Sequence, residues 1–299
     1  MLMVPAPCPP RPGAVVSRGG LRYGTATGRL IRPITGVYVA TDLRSPWWNA
    51  YYTHPQADGV WQTLTAAAAV LPAGAVLADE TAAHVWCGWW PQERTPSVIV
   101  PPGTALRRRR GLQCRTSSLR TGEVAHELRL PVTSPQRTAL DLARRLSRPW
   151  ALAAVDALLY ARLVRPDQLR EGLIALRGSR GVRQAAEVVA RADAGAASPG
   201  ESLTRFYLLD AGLGPLQTQV PLLGETYVGD LLVRGKLLVE FEGQRHEEKD
   251  QFVADRRRFN ALSLLPGMAV VHVTWADLRE PALMVAQVRA ALRHLGEDV

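Results

Sequence analysis

Tyr227-Val228-Gly229-Asp230-Leu231-Leu232-Val233-Arg234-Gly235-Lys236-Leu237-Leu238-Val239-Glu240-Phe241-Glu242 is the stretch on which the fold turns. Two apolar runs flank Arg234-Gly235, so Tyr227–Val233 and Lys236–Glu242 read as neighbouring antiparallel strands. Side chains alternate along a strand. Leu237, Val239 and Phe241 therefore share one face, and Leu238, Glu240 and Glu242 share the other. The two glutamates lie about 6.5–7 Å apart between Cα atoms. A strand this apolar reads as buried on both sides, where adjacent carboxylates repel unless a cation joins them.

The strand before supplies a third acid if the register allows it. A two-residue turn at Arg234-Gly235 would pair Asp230 with Val239, on the wrong face. A three-residue loop, Val233-Arg234-Gly235, puts glycine at the position that needs a left-handed backbone. It pairs Leu232 with Lys236 and Asp230 with Leu238, placing Asp230 diagonal to Glu240 on the face of Glu240 and Glu242. Hard divalent ions take oxygen ligands and accept one or two carboxylates plus water and phosphate. Asp230 and Glu240 thus read as ligands for Mg²⁺ or Mn²⁺, an ion able to polarise a scissile phosphate and activate water. His246, just past the strand, is placed to act as a general acid or base or to bond a phosphate.

Working outward, Ser198-Pro199-Gly200-Glu201 opens a helix that Gly212 ends. Gln217–Leu222 is a strand, and a charged helix runs from about Asp250 to Leu265. Ala269–Val273 is an apolar strand, and a last helix spans about Pro281–Leu295, giving the order α-β-β-β-α-β-α. Glu201 has two readings: Ser-x-x-Glu is a capping box, or the acid belongs to the site.

Composition and charge change at Ala194–Gly200. Residues 1–13 hold five prolines and read as a loose arm. Within residues 14–59, Leu30-Ile31-Arg32 and Gly36-Val37-Tyr38-Val39 read as two strands around a turn at Pro33–Gly36. Residues 60–193 form a basic middle domain: helical composition at 60–71 and 79–87, strands at Ser97–Val100, Leu112–Thr116 and Leu128–Val132, then helices from Ser134 to Ala192. Breaks in those helices fall near Arg148-Pro149, Arg165-Pro166 and Gly178–Gly181. Residues 198–299 form the last domain, and the fold class is α/β of the mixed α+β kind.

The 299 residues carry a net charge of +9. Residues 1–198 hold 25 arginines against 13 acidic residues, a net +12, and residues 199–299 are net −3. The basic part attracts a polyanion, and DNA is the expected partner. Arg107, Arg108, Arg109 and Arg110 form a loop suited to gripping a phosphate backbone or simply to solvation. Arg258 is spaced to pair with Asp255 on one helix face or to meet a phosphate. Trp86–Trp90, with Trp47, Trp48 and Trp61, reads as core. His84 and Cys87 have no further ligands at zinc spacing. Leu64–Ala78, fifteen residues without a charge, is broken by Pro72 and too short to span a bilayer. With no basic, apolar leader and three scattered cysteines (Cys8, Cys87 and Cys114), a cytoplasmic protein away from membranes is expected.

Gly229-Asp230, Val239–His246, Asp255-Arg256-Arg257-Arg258 and Val271-His272-Val273-Thr274-Trp275 together resemble the very-short-patch-repair-like branch of the restriction-endonuclease superfamily, over Ser198 to Leu295. The resemblance implies metal-dependent cleavage of DNA phosphodiesters. Asp230 and Glu240 fall on the metal-binding acids, Glu201 on the acid of the first helix and His246 on the histidine after the sheet. Glu242 stands where the wider superfamily has a lysine, which leaves Lys249 or His246 as substitutes for it. Residues 20–198 more weakly resemble the antitoxin-like regulators of abortive-infection (type IV) toxin–antitoxin systems. Gly36–Val39 looks like their wing and Leu130–Thr138 like their mid-domain turn. The helices that should precede the wing fall in the proline-rich arm, so the DNA-reading head is shortened. Three functions stand open: a Mg²⁺-dependent endonuclease with a basic DNA-binding region, a non-catalytic antitoxin-like regulator that keeps the endonuclease fold and has a cognate toxin-like partner, or an interaction module that binds no nucleic acid.

Overall fold

The computed structural model describes residues 30–34, 37–40, 57–68, 70–89, 95–104, 111–128, 130–222, 227–243 and 267–299. The chain divides into two compact units. The first comprises Met1–Arg145 with Ala161–Ala186, and the second comprises Leu146–Tyr160 with Glu187–Val299.

The first unit begins with an antiparallel hairpin, β1 (Leu30–Ile34) and β2 (Val37–Ala40), followed by α1 (Ala57–Ala68). Its main sheet has five strands: β3 (Val76–Leu77), β4 (Ser97–Val100), β5 (Gln113–Thr116), β6 (Val124–Glu127) and β7 (Leu130–Thr133), in the spatial order β5-β4-β3-β7-β6. β4 pairs with β5 and β3 with β7 in parallel; the other two pairings are antiparallel. Helix α2 (Asp79–Cys87) ends on Gly88, whose φ of 75° lets its N–H reach back to the His84 carbonyl. The core joins Leu64 of α1, Leu77, Val98, Val100, Leu130 and Val132 of the sheet, and Ala82 and Val85 of α2. Removing each of these leucine and valine side chains from water is worth about 1.5–3 kcal/mol.

Helix α3 (Pro135–Arg145) packs against α5 (Pro166–Ala175), where Gly172 leaves room for Leu140 and Gln136. Helix α6 (Val182–Arg191) follows the Gly178–Gly181 turn. The intervening helix α4 (Arg148–Tyr160), which the sequence groups with the helical middle, lies in the second unit and packs against α7 (Pro199–Asp210).

The second unit's sheet runs β11-β10-β9-β8, from β8 (Leu216–Leu222), β9 (Tyr227–Val233), β10 (Leu237–Glu242) and β11 (Ala269–Thr274). β10 and β11 are parallel; the other pairs are antiparallel. Helix α8 (Pro281–His294) closes the chain. Leu203 and Leu208 of α7, Leu231 and Val233 of β9, Leu237 and Val239 of β10, Val271 and Val273 of β11, and Met284, Val288 and Leu292 of α8 form one core. The expected helix between β10 and β11 falls outside the described residues. Among those residues no helix is long and apolar enough to cross a membrane.

The β9–β10 register differs from the expected one. Arg234 and Gly235 both have positive φ (52° and 71°), and Lys236 N–H closes the turn on the Val233 carbonyl at 3.1 Å. Lys236 is then an extra residue before the ladder, so Val233 pairs with Leu237 and Leu232 with Leu238. The loop is Arg234-Gly235-Lys236, one residue later than predicted. The shift of two in the pairing sum preserves which face each side chain takes. Continued one step, it puts Asp230 level with Glu240 rather than diagonal to it.

Candidate functional site

A single row of polar side chains crosses the second unit's sheet. Val220 pairs with Gly229 and Thr218 with Leu231, which sets Gln219 opposite Asp230. Continued one step past its last pair, Leu231 with Val239, the β9–β10 register sets Asp230 level with Glu240, and Glu240 pairs with His272. Gln219, Asp230, Glu240 and His272 thus occupy equivalent positions on four adjacent strands of a sheet rich in leucine and valine.

Gln219, Asp230 and His272 are held by specific side-chain contacts, and Glu240 is buried. The Asp230 Oδ2 accepts the Phe241 backbone N–H at 2.8 Å, just beyond the last paired residues, Leu231 and Val239. Glu240 is buried, at 6% exposure. Glu242, two residues on, is exposed, and its Oε1 lies 2.8 Å from His272 Nδ1. Glu201 comes from the first turn of α7, where Ser198 Oγ accepts the Glu201 N–H at 3.2 Å. The expected capping box is only half present. The Glu201 carboxylate reaches one residue further back, accepting the Ala197 N–H at 2.9 Å and Gln219 Nε2 at 3.2 Å. Gln219 adopts φ of 50° within a strand, a conformation that costs a non-glycine residue on the order of 1–3 kcal/mol and is concentrated at functional sites.

Burial pushes the Glu201 carboxyl up to about 7, with the Asp230 charge adding to it and the hydrogen bonds from Ala197, Ser198 and Gln219 pulling back. The folded protein therefore holds this proton more tightly than the unfolded chain. The associated stability is complete below about pH 4.5 and is lost as pH rises toward 7. Glu201→Gln keeps an acceptor for Ala197 and removes the ionisation. The variant should equal the parent near pH 4 and exceed it by up to about 3 kcal/mol above pH 7. Urea unfolding across this range measures it, and parallel pH profiles for the two proteins would contradict it.

The carboxylate oxygens of Asp230 and Glu240 are hard donors of the kind Mg²⁺ accepts, with water and phosphate completing its shell. No group of three or more His, Cys, Asp or Glu among the described residues is arranged to hold a metal ion. His246, Arg258 and Arg107–Arg110 lie outside the described residues. Gln219 and His272 escaped the sequence reading of the site. A glutamine and a histidine in apolar strands carry no spacing signal, and only the sheet order places them beside Asp230 and Glu240.

A second polar cluster occupies the first unit. Arg115 of β5 grips Asp79 with two bonds of 3.0 Å, and its Nη2 meets Asp141 Oδ2 at 2.6 Å. Arg137 donates to the same Asp141 oxygen at 2.8 Å and to Glu123 at 2.9 Å, while Arg144 approaches Asp141 Oδ1 at 3.3 Å. Burial would lower the Arg115 guanidinium, but Asp79 and Asp141 outweigh it and raise it. Asp79 takes φ of 51° to enter this network. Nearby, His84, Cys87 and Trp89 are buried, and burial pushes the Cys87 thiol up to about 12. Trp86 donates to the Thr133 carbonyl at 2.8 Å.

The charge divides between the units more sharply than at residue 198. The first unit's sequence holds 23 arginines and ten acidic residues, a net +13, and the second unit's is net −4.

Residues 64–190 match the AbiEi antitoxin C-terminal domain. That span includes the Arg115–Asp141 network and ends before the sheet that carries Asp230 and Glu240. No solved structure matches the chain. Over 211 residues the chain is 30% identical to the uncharacterized proteins Rv2248 and MT2308 of two Mycobacterium tuberculosis strains, an alignment covering 68% of this chain and 75% of each relative. The chain belongs to the family of these mycobacterial proteins, and its central region is similar to the AbiEi antitoxin C-terminal domain.

Proposed function

We propose that the protein is an antitoxin-like, DNA-binding regulator of the cytoplasm whose arginine-rich first unit holds DNA. The observation that carries this reading is that most of the antitoxin-domain match falls in the unit whose sequence bears a net +13. Proteins that neutralise DNA phosphates release counterions, so their affinity falls steeply with salt. Filter binding of a mixed-sequence duplex should show that fall between about 50 and 200 mM salt. Absent binding, or binding indifferent to salt, would remove the reading. A cognate toxin is the second partner that the antitoxin likeness brings with it.

A second reading is a Mg²⁺- or Mn²⁺-dependent DNA endonuclease. The level placement of Asp230 and Glu240 on adjacent strands favours it, with Glu201 close by on α7. On that reading Asp230 and Glu240 hold the ion, which supplies a Lewis acid at a phosphodiester. Glu242 and His246 flank it, and Arg107–Arg110 and Arg258 add phosphate contacts. Purified protein should then nick duplex DNA only with the divalent ion, and Asp230→Ala should lose both cleavage and calorimetric Mn²⁺ binding. Equal behaviour of parent and variant in both measurements removes the endonuclease reading and leaves the regulator.

A further inference from the structure

Residues Ala161–Ala186 of the first unit carry six arginines and two acidic residues, all exposed. The acids gather at one end. Asp167 is tied to Arg165 by bonds of 3.1 and 2.8 Å, and the Glu171 charge also acts on Arg165. At the other end Arg177, Arg180 and Arg183 recur every third residue, and none forms an ion pair with a described residue. The backbone beneath them is fixed. Gly178 and Gly181 have φ of 79° and 80°, Ser179 N–H bonds the Leu176 carbonyl at 2.9 Å, and Val182 N–H bonds the Ser179 carbonyl at 3.3 Å.

This turn is held against the end of α3. A Cβ on Gly181 would lie 2.5 Å from the Arg144 carbonyl oxygen, so only glycine permits the approach. Gln184 Nε2 donates to the Ala143 carbonyl at 2.9 Å. An open concavity of about 430 Å³ is lined by Gly178, Ser179, Gly181, Val182 and Arg183. Three exposed guanidinium groups on an ordered turn, none paired with an acid among the described residues, form a positively charged surface suited to a polyanion.

We propose that the Arg177–Arg183 turn is an edge by which the first unit grips the phosphate backbone of duplex DNA. The inference rests on the DNA-binding reading above and names the surface responsible. Guanidinium forks bond phosphate oxygens two at a time. Ordering the turn in advance reduces the entropy lost when it docks. The contacts fall on phosphate, so they set affinity and register rather than base preference.

The test compares the full-length parent, the variant R177A/R180A/R183A and the charge-keeping variant R177K/R180K/R183K. Each is titrated against a fluorescent mixed-sequence duplex over about 50–200 mM salt, with circular dichroism confirming the fold. The alanine variant should bind on the order of ten- to a hundredfold more weakly, and its slope of log affinity against log salt should shrink by about 2–3. The lysine variant should keep the parent slope. A parent that binds DNA while the folded alanine variant keeps the full slope overturns the assigned surface and spares the function. Loss of slope in the lysine variant, or loss of binding to anionic vesicles alone, also overturns it. A parent that binds no DNA overturns both.

Discussion

Asp141→Ala is expected to destabilise the first unit by about 3–5 kcal/mol, the cost of removing one partner from a buried ionic cluster. Asp141 has no exposed surface and is approached by Arg115, Arg137 and Arg144. Without it, three guanidinium groups face one another with only Asp79 and Glu123 left to balance them. The Arg144 guanidinium is already held below its usual range, by burial first and by Arg137, Arg115 and Arg145 as well. The native state of the variant carries repulsion that the unfolded chain escapes. Amide hydrogen exchange resolved by peptide should show protection lost in Ser97–Val100 and Leu130–Thr133, with Leu237–Glu242 unchanged. Uniform loss across both sheets would mean that the two units unfold as one.

Arg205→Met should have a comparable effect in the second unit. Arg205 Nη2 lies 2.7 Å from Asp156 Oδ2, in a pair with almost no exposed surface, and its Nη1 donates to the Arg191 carbonyl at 2.6 Å. The Asp156 Oδ1 accepts the Asp193 N–H at 2.8 Å. Burial pushes the Asp156 carboxyl up to about 6 even with Arg205 opposing it. Removing Arg205 takes away the charge that opposes burial and leaves only the hydrogen bonds from Asp193 and Ser202 against it, so the variant folds best with that carboxyl protonated. Its deficit should therefore grow with pH, from small near pH 5 to about 3–5 kcal/mol at pH 8. The double variant R205M/D156L should recover much of the loss, since an apolar pair leaves no stranded charge. A deficit independent of pH, or a double variant weaker than the sum of its parts, would contradict this account.

Much of the second unit is written in local patterns. Ser198 and Pro199 announce α7, and the alternation Leu237, Val239, Phe241 against Leu238, Glu240, Glu242 fixes which side chains share a face. The common face of Asp230 and Glu240 follows from that alternation together with a three-residue loop between the strands. Their level placement does not, because it depends on whether Lys236 belongs to the turn or to the strand, a choice set by positive φ at Arg234 as well as Gly235. β3 is two residues inside an alanine-rich stretch, too short to show a period, and β6 alternates weakly among exposed residues. Gln219 gives no sign of its backbone geometry. The Arg115 cluster is equally silent, because its partners Asp141 and Asp79 lie 26 and 36 residues away along the chain. Local propensity cannot see such pairs; only the assembled sheet brings them together.

The path of the polypeptide has a consequence for how this architecture can be divided. The backbone leaves the first unit for α4, returns for α5, and leaves again within α6, crossing at residues 145, 160 and 186. A gene cut at any one of these points strands a helix: a fragment ending at 186 keeps α4 but forfeits α7, including the Arg205 that pairs with Asp156. Recombination cannot trade these halves as separable cassettes, and a protease nicking the Ala194–Ser198 connection should yield pieces that stay associated until denatured.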